Sequence, residues 1–223
     1  MVKVINKKAV IINNERVYID WYKTAFLERH LENNQSKILD YKKIIEIGAY
    51  DCEESLKFTS IFPNASITAF ECSPKLIDKC RYNSNKSDRI TLVEKMVTDT
   101  PDNTIFYNCK GGESSMCYPK YDKHYLINVS TIRMDEYLDN SEVDFLWIDV
   151  QGAELNVLHS FGNKLKNVNT IYCEVDICKY RYDSDSTLNT VSGFLFNSGY
   201  KIKDIMILTP NEAHVIFEYG DVD

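Results

Sequence analysis

The chain has 223 residues, 44% hydrophobic and 26% charged, with a net charge of −7 and a sequence pI near 5.2. That is long enough for one well-buried core and short for two, so a single domain over 1–223 is expected. The acidic balance, with no basic stripe interleaved with aromatics, argues against a nucleic-acid partner; no apolar run reaches the roughly eighteen residues of a membrane span, and a cytoplasmic location is expected.

Residues 2–19 alternate weakly, with Ile11-Ile12 and Val17-Tyr18-Ile19 separated by Asn13-Asn14-Glu15-Arg16, which predicts a short hairpin or two edge strands. Asp20 is a candidate cap for a helix to about Asn33, striped by Trp21, Tyr22, Ala25, Phe26, Leu27 and Leu31. Residues 1–40 thus read as a hairpin and a helix covering the core.

Lys43-Ile-Ile-Glu-Ile-Gly48 is the first well-marked strand, and it stops at glycine. Asp51-Cys-Glu-Glu54 has the spacing of a capping box ahead of a helix to Ile61. A strand follows over Ser66–Glu71, and Pro74 opens the next helix, to about Ser84. Glu71 lies 23 positions after Gly48, the place in a βαβ unit where an acidic residue holds a ribose hydroxyl. A dinucleotide needs further glycines where Tyr50 and Glu53 stand, and Asp51 and Glu54 would repel a pyrophosphate. S-adenosylmethionine carries a sulfonium and an ammonium and no phosphate, so it suits an acidic turn better than NAD does.

Arg89–Val97 reads as a third strand, with Asp99 beyond its end placed for an adenine amino group or for a turn before Pro101. Strands over Asn103–Cys109 and Leu126–Ile132 flank the loop Cys109-Lys-Gly-Gly-Glu-Ser-Ser-Met116, and a short helix covers Met134–Leu138. Val143-Asp-Phe-Leu-Trp-Ile148 is the near-continuous apolar run of a parallel strand buried on both faces. It delivers Asp149 to its carboxyl end, the ligand-binding edge of an open α/β sheet; Gly152 turns the chain, and Glu154 opens a helix to Phe161. Asp149 and Glu154 are expected to face one crevice. Val168–Asp176 is another strand, and alternation places Glu174 and Asp176 on one side near Asp149. A helix over Leu188–Ser198, closed by Gly199, leads to an antiparallel pair, Tyr200–Leu208 and His214–Tyr219. The order predicts an α/β fold: a doubly wound, mostly parallel sheet with an antiparallel edge and helices on both faces.

The seven cysteines form no Cys-x-x-Cys pair and read as reduced thiols. Asp149, Glu174 and Asp176 offer the hard oxygen ligands of a divalent cation such as Mg²⁺, without diagnostic spacing.

Five segments in this order, Ile45–Asp51, Phe70–Pro74, Ser114–Met116, Val129–Glu136 and Trp147–Leu158, resemble the FkbM-type S-adenosylmethionine-dependent methyltransferases. The resemblance implies a class I methyltransferase (Rossmann-like) fold and methyl transfer to oxygen, often a hydroxyl of a sugar or polyketide. Departures are Cys52 and His159, where glycines are common in the family. Methyl transfer needs an acceptor oxygen in line with the methyl carbon and a group to take its proton, which makes Asp149 the candidate base, with Glu154 and Glu174 lining the acceptor pocket. Candidate cofactor contacts are Glu46, Gly48, Ala49, Tyr50, Asp51, Glu71, Cys72, Asp99 and Asp149. The expected acceptor is a small molecule or a glycan. A nucleotide-sugar or NAD-linked oxidoreductase and a non-catalytic binding subunit are the alternatives; the oligomeric state is not legible.

Overall fold

The computed structural model describes residues 38–100, 104–109 and 112–220, together with Leu27 and the backbone of three N-terminal strands. Those strands, Val2–Asn6, Ala9–Ile12 and Glu15–Tyr18, form an antiparallel meander rather than a single hairpin. The helix expected over 20–33 lies outside the described residues except for Leu27, which is helical and buried.

Seven strands make the central sheet: β1 (Lys43–Ile47), β2 (Ser66–Phe70), β3 (Ile90–Val93), β4 (Val143–Ile148), β5 (Val168–Asp176), β6 (Tyr200–Thr209) and β7 (Glu212–Tyr219). Their spatial order is β6-β7-β5-β4-β1-β2-β3. All neighbours run parallel except β7, which is antiparallel to both β5 and β6. Among the described residues from 38 onward, five α-helices accompany them: α1 (Glu53–Ile61), α2 (Ile77–Ser84), α3 (Met134–Tyr137), α4 (Glu154–Ser160) and α5 (Leu188–Asn197). The doubly wound architecture is therefore as expected.

The period-two alternation of the strands divides the core. Ile44, Phe145, Trp147 and Tyr172 join Phe58, Ile61 and Phe62 of the α1 side in one cluster. Ile45, Ile47, Leu146, Ile148, Ile171 and Cys173 join Val157, Leu158, Val191 and Leu195 of α4 and α5 in the other. Trp147 and Tyr172, paired across β4 and β5, stack with centroids 3.6 Å apart. Burial on both faces explains why β4 is apolar from Phe145 to Ile148.

Three expectations fail locally. Residues 89–97 do not form one strand: β3 ends at Val93, and Met96–Val97 pairs in parallel with Thr131–Ile132. Glu94 and Lys95 are exposed at the break, and extending β3 through them would bury charge. The strand expected over 126–132 likewise divides at Ser130, its first part, His124–Val129, pairing with Thr104–Cys109 in an accessory hairpin. The capping box does not form. Cys52 is the N-cap of α1, in a left-handed conformation with φ 60°, and no side chain caps it. Asp51 instead accepts the Glu53 N–H at 3.1 Å, and Glu54 turns to Lys57 at 3.5 Å. Among the described residues no helix is long and apolar enough to cross a membrane.

Candidate active site

The site is built where the sheet order reverses, between β1 and β4. Asp149 N–H donates to the Ile47 carbonyl at 3.0 Å, while Gly48 N–H and Ala49 N–H donate to the Phe70 carbonyl at 3.1 and 3.0 Å, so the ends of β1, β2 and β4 are laced together. The approach requires glycine: Gly48 has φ 85°, and a Cβ there would lie 1.9 Å from the Asp149 carbonyl oxygen. Over these strand ends lies a cavity of about 410 Å³. Its walls include Phe70, Met96, Val97 and Phe106 on an apolar side, and Glu46, Glu71, Asp149, Glu174 and Arg181 on a polar one.

Of the expected cofactor contacts, Glu46, Gly48, Tyr50, Glu71, Cys72 and Asp149 line the cavity. Glu71 is the best defined. Its Oε1 accepts from Cys72 N–H at 2.9 Å and Ser73 N–H at 2.7 Å, and its Oε2 from Tyr50 N–H at 2.9 Å. Burial nevertheless pushes its pKa up to about 7, opposed by those bonds and assisted by the Asp149 charge. Glu46 accepts a bond from Ser55 Oγ.

Ala49, Asp51 and Asp99 are outside the cavity wall. Ala49 is packed in the core, Asp51 is drawn 2.5 Å from Lys79 Nζ, and the Asp99 carboxylate accepts from Asn156 Nδ2 at 2.9 Å. Lys79 and Asn156, neither of them in the cavity wall, hold these two carboxylates. Of the expected catalytic set, Asp149 and Glu174 line the cavity and Glu154 does not. Glu154 points under its own turn, accepting Gly152 N–H at 3.0 Å with Oε1, while its buried Oε2 has no hydrogen-bond partner among the described residues. Burial pushes its pKa up to about 8. Asp149 and Glu154 therefore do not share the crevice. His159 packs on Phe194 with ring centroids 4.6 Å apart.

The acidic trio offered for a cation is also rearranged. Asp176 is paired with Arg181 Nε at 2.5 Å. Glu174 instead groups with Glu212 and His214, whose candidate ligand atoms all lie within 4.8 Å of one another. Arg181 Nη1 reaches the same group, 3.4 Å from Glu174 and 3.3 Å from Glu212. Burial works against the guanidinium charge, but Glu174 and Asp176 outweigh it and its pKa is raised.

A model of the methyltransferase FkbM domain matches residues 46–202. The chain belongs to the FkbM methyltransferase family. A curated relative, the 2-O-methyltransferase NoeI of Sinorhizobium fredii (strain NBRC 101917 / NGR234), is 27% identical over 150 residues, 59% of this chain and 62% of the relative. The match thus spans less than two thirds of that protein. Among solved structures, Aeropyrum pernix fibrillarin with natively bound S-adenosyl-L-methionine aligns with a TM-score of 0.55 at 14% identity, covering 96% of this chain and 84% of that one. Streptococcus pneumoniae Sp1610 in complex with S-adenosyl-L-methionine aligns at 0.53 and 12%, covering 87% and 74%. At such identities the likeness is one of fold, that of class I methyltransferases.

Several residues in or beside the cavity carry no sequence signal of their own. Gln151 lies inside the Trp147–Leu158 segment, yet nothing there marks it as the partner of Asp149, 2.6 Å from Nε2 to Oδ1. Glu113, Arg181 and Glu212 line the cavity, and Tyr182 and His214 reach it through hydrogen bonds to Glu113 and Glu212. Strand pairing brings in Glu212 and His214: the β5–β7 register places Glu174 opposite His214 and Asp176 opposite Glu212.

Proposed function

We propose that this FkbM domain transfers a methyl group from S-adenosylmethionine to a hydroxyl oxygen, on a sugar or other glycan acceptor, as a cytoplasmic enzyme, with Asp149 as base or acceptor-positioning group. The supporting observation is that one cavity, at the point where the sheet order reverses, collects Gly48, Glu71 and Asp149 in a chain of a methyltransferase family. The residues fit the cofactor. Glu71, at the end of β2, is placed to accept from ribose hydroxyls; Phe70, Met96 and Val97 offer an apolar wall for a flat ring; and the carboxylates suit a sulfonium and an ammonium.

When bound, S-adenosylmethionine supplies an electrophilic methyl group on a sulfonium. Glu71 orients the ribose, and its backbone N–H partners keep the Tyr50 and Cys72 segments closed around it. Asp149 accepts the hydrogen bond of the acceptor hydroxyl and takes its proton as the new C–O bond forms. Arg181 pairs with Glu174, Asp176 and Glu212 and offsets part of their charge, and proton removal is assigned to Asp149. The net charge of −7 favours a glycan over a nucleic-acid acceptor, and NoeI carries the name of a 2-O-methyltransferase.

Calorimetry with S-adenosylhomocysteine, with NADH as counter-ligand, tests the cofactor. Binding of the first and not the second is expected; the reverse would overturn the reading in favour of an oxidoreductase. Mass spectrometry of neutral glycans incubated with enzyme and S-adenosylmethionine then reads the gain of one methyl group.

A further inference from the structure

Gln151 occupies a left-handed conformation with φ 57°, unfavourable for a residue with a side chain. The turn folds its side chain back over Asp149, two residues earlier. Its amide has acceptors on one side and donors on the other. Nε2 is 2.6 Å from Asp149 Oδ1 and 3.2 Å from Glu174 Oε1. Oε1 is 3.0 Å from the Tyr182 hydroxyl and 3.3 Å from Arg181 Nη1. That asymmetry selects one amide orientation, with N–H held against Asp149.

Tyr182, however, has too few protons for its neighbours. Its oxygen is also 2.8 Å from Glu113 Oε2 and 3.3 Å from the Glu113 carbonyl. A phenol donates one hydrogen bond, and burial together with the Glu113 charge keeps that proton on the oxygen. A carboxylate is the stronger acceptor, so Glu113 competes with Gln151 for it. Glu113 belongs to the loop that walls the cavity beside Gly112 and Ser114. The ring of Tyr182 is fixed from behind, because Gly152 approaches so closely that a Cβ there would lie 3.0 Å from Tyr182 Cβ and Cγ.

We propose that Tyr182 is a positioning residue for Asp149: its single phenolic proton is shared between Glu113 on the wall loop and Gln151, whose amide holds Asp149, so the loop and the carboxylate are coupled through one hydrogen. The catalytic meaning rests on the role given to Asp149 above; the competition itself does not.

Gln35 and Gln151 are the only glutamines in the chain, so selective ¹⁵N-glutamine labelling gives two side-chain amide pairs, assigned with Gln35→Glu. Removing the donor with Tyr182→Phe should speed hydrogen exchange at Gln151 Nε2 about five-fold, the factor expected for one lost hydrogen bond. Removing the competitor with Glu113→Met should slow it. A merely structural disturbance would speed exchange in both variants. Opposite signs support the coupling; equal signs, or no change in Tyr182→Phe, overturn it. Calorimetry with S-adenosylhomocysteine separates the two readings: if the wild-type chain does not bind it, the methyltransferase assignment fails, while the exchange rates still decide the coupling.

Discussion

Replacing Gly48 by alanine tests whether the site depends on contact between β1 and β4. The added Cβ would sit 1.9 Å from the Asp149 carbonyl oxygen and 2.8 Å from its carbonyl carbon, where real Cβ contacts essentially never fall below 3.0 Å. The obstacle is backbone, so no rotamer relieves it, and the two strand ends must separate by about 1 Å. Three costs arise together: alanine at φ 85°, the overpacking, and weakening of the 3.0 Å bond from Asp149 N–H to the Ile47 carbonyl. They amount to about 3–6 kcal/mol. In urea this lowers the unfolding midpoint by roughly 2 M, and S-adenosylhomocysteine binding should be lost in the fraction that still folds. Gly152→Ala is the control. It also has a left-handed backbone, with φ 94°, but its Cβ would lie 3.0 Å from Tyr182 Cβ and Cγ, a far milder overlap than the 1.9 Å approach at Gly48. Its cost should be about half as large. A midpoint for Gly48→Ala within about 0.5 M of wild type would refute the reasoning.

Asp149→Asn should retain S-adenosylhomocysteine affinity in calorimetry while methyl transfer falls by at least about 100-fold, the typical contribution of a positioned base; near-normal turnover would remove Asp149 from that role. Glu71→Ala should weaken the same ligand about ten-fold or more, because it deletes the carboxylate that organises the Tyr50, Cys72 and Ser73 amides. Arg181→Met leaves Glu174, Asp176 and Glu212 without their shared cation, so stability should drop by about 3–5 kcal/mol, less at pH 5 than at pH 8, by thermal melts at both. Glu154 has a folded pKa of about 8 against an ordinary 4.5, so the folded state keeps a proton that the unfolded chain releases. Its contribution to stability therefore declines as pH rises from about 4.5 to 8, and Glu154→Gln should flatten the stability profile there; an unchanged slope in denaturant titrations would exclude Glu154 as its source.

Legibility from sequence followed burial. β4 is readable to the residue because both its faces are covered, and a near-continuous apolar run does not suit a strand with one face in water; β5, buried along most of its length, is readable from its β-branched and aromatic residues despite Glu174 and Asp176. The break after Val93 falls at Glu94 and Lys95, but a charged pair also suits the exposed face of one continuous strand, so the sequence does not show that the two halves serve different sheets. Within the site, Asp149 and Glu71 are legible from their positions at strand ends. Asp51, Asp99 and Glu154 stand at equally suggestive positions, but Lys79, Asn156 and the Gly152 N–H turn them elsewhere. A sequence gives the place of a carboxylate along the chain, whereas its direction depends on partners 28 to 57 positions away in the first two cases.

The same distinction relocates the electrostatic case for a sulfonium cofactor. From sequence, that case rests on Asp51 and Glu54 opening the first helix, where a pyrophosphate would be repelled. In the structure Lys79 largely offsets Asp51, so the first turn alone decides little. The cavity as a whole carries the preference: Glu46, Glu54, Glu71, Glu113, Asp149, Glu174 and Glu212 line it, against Lys95 and Arg181. Arg181 is engaged by Glu174, Asp176 and Glu212, one of which lies outside the lining, so it offers little attraction to an incoming anion. A polyphosphate entering this space would lose its hydration and meet carboxylates. A sulfonium with an ammonium would exchange water for them on favourable terms.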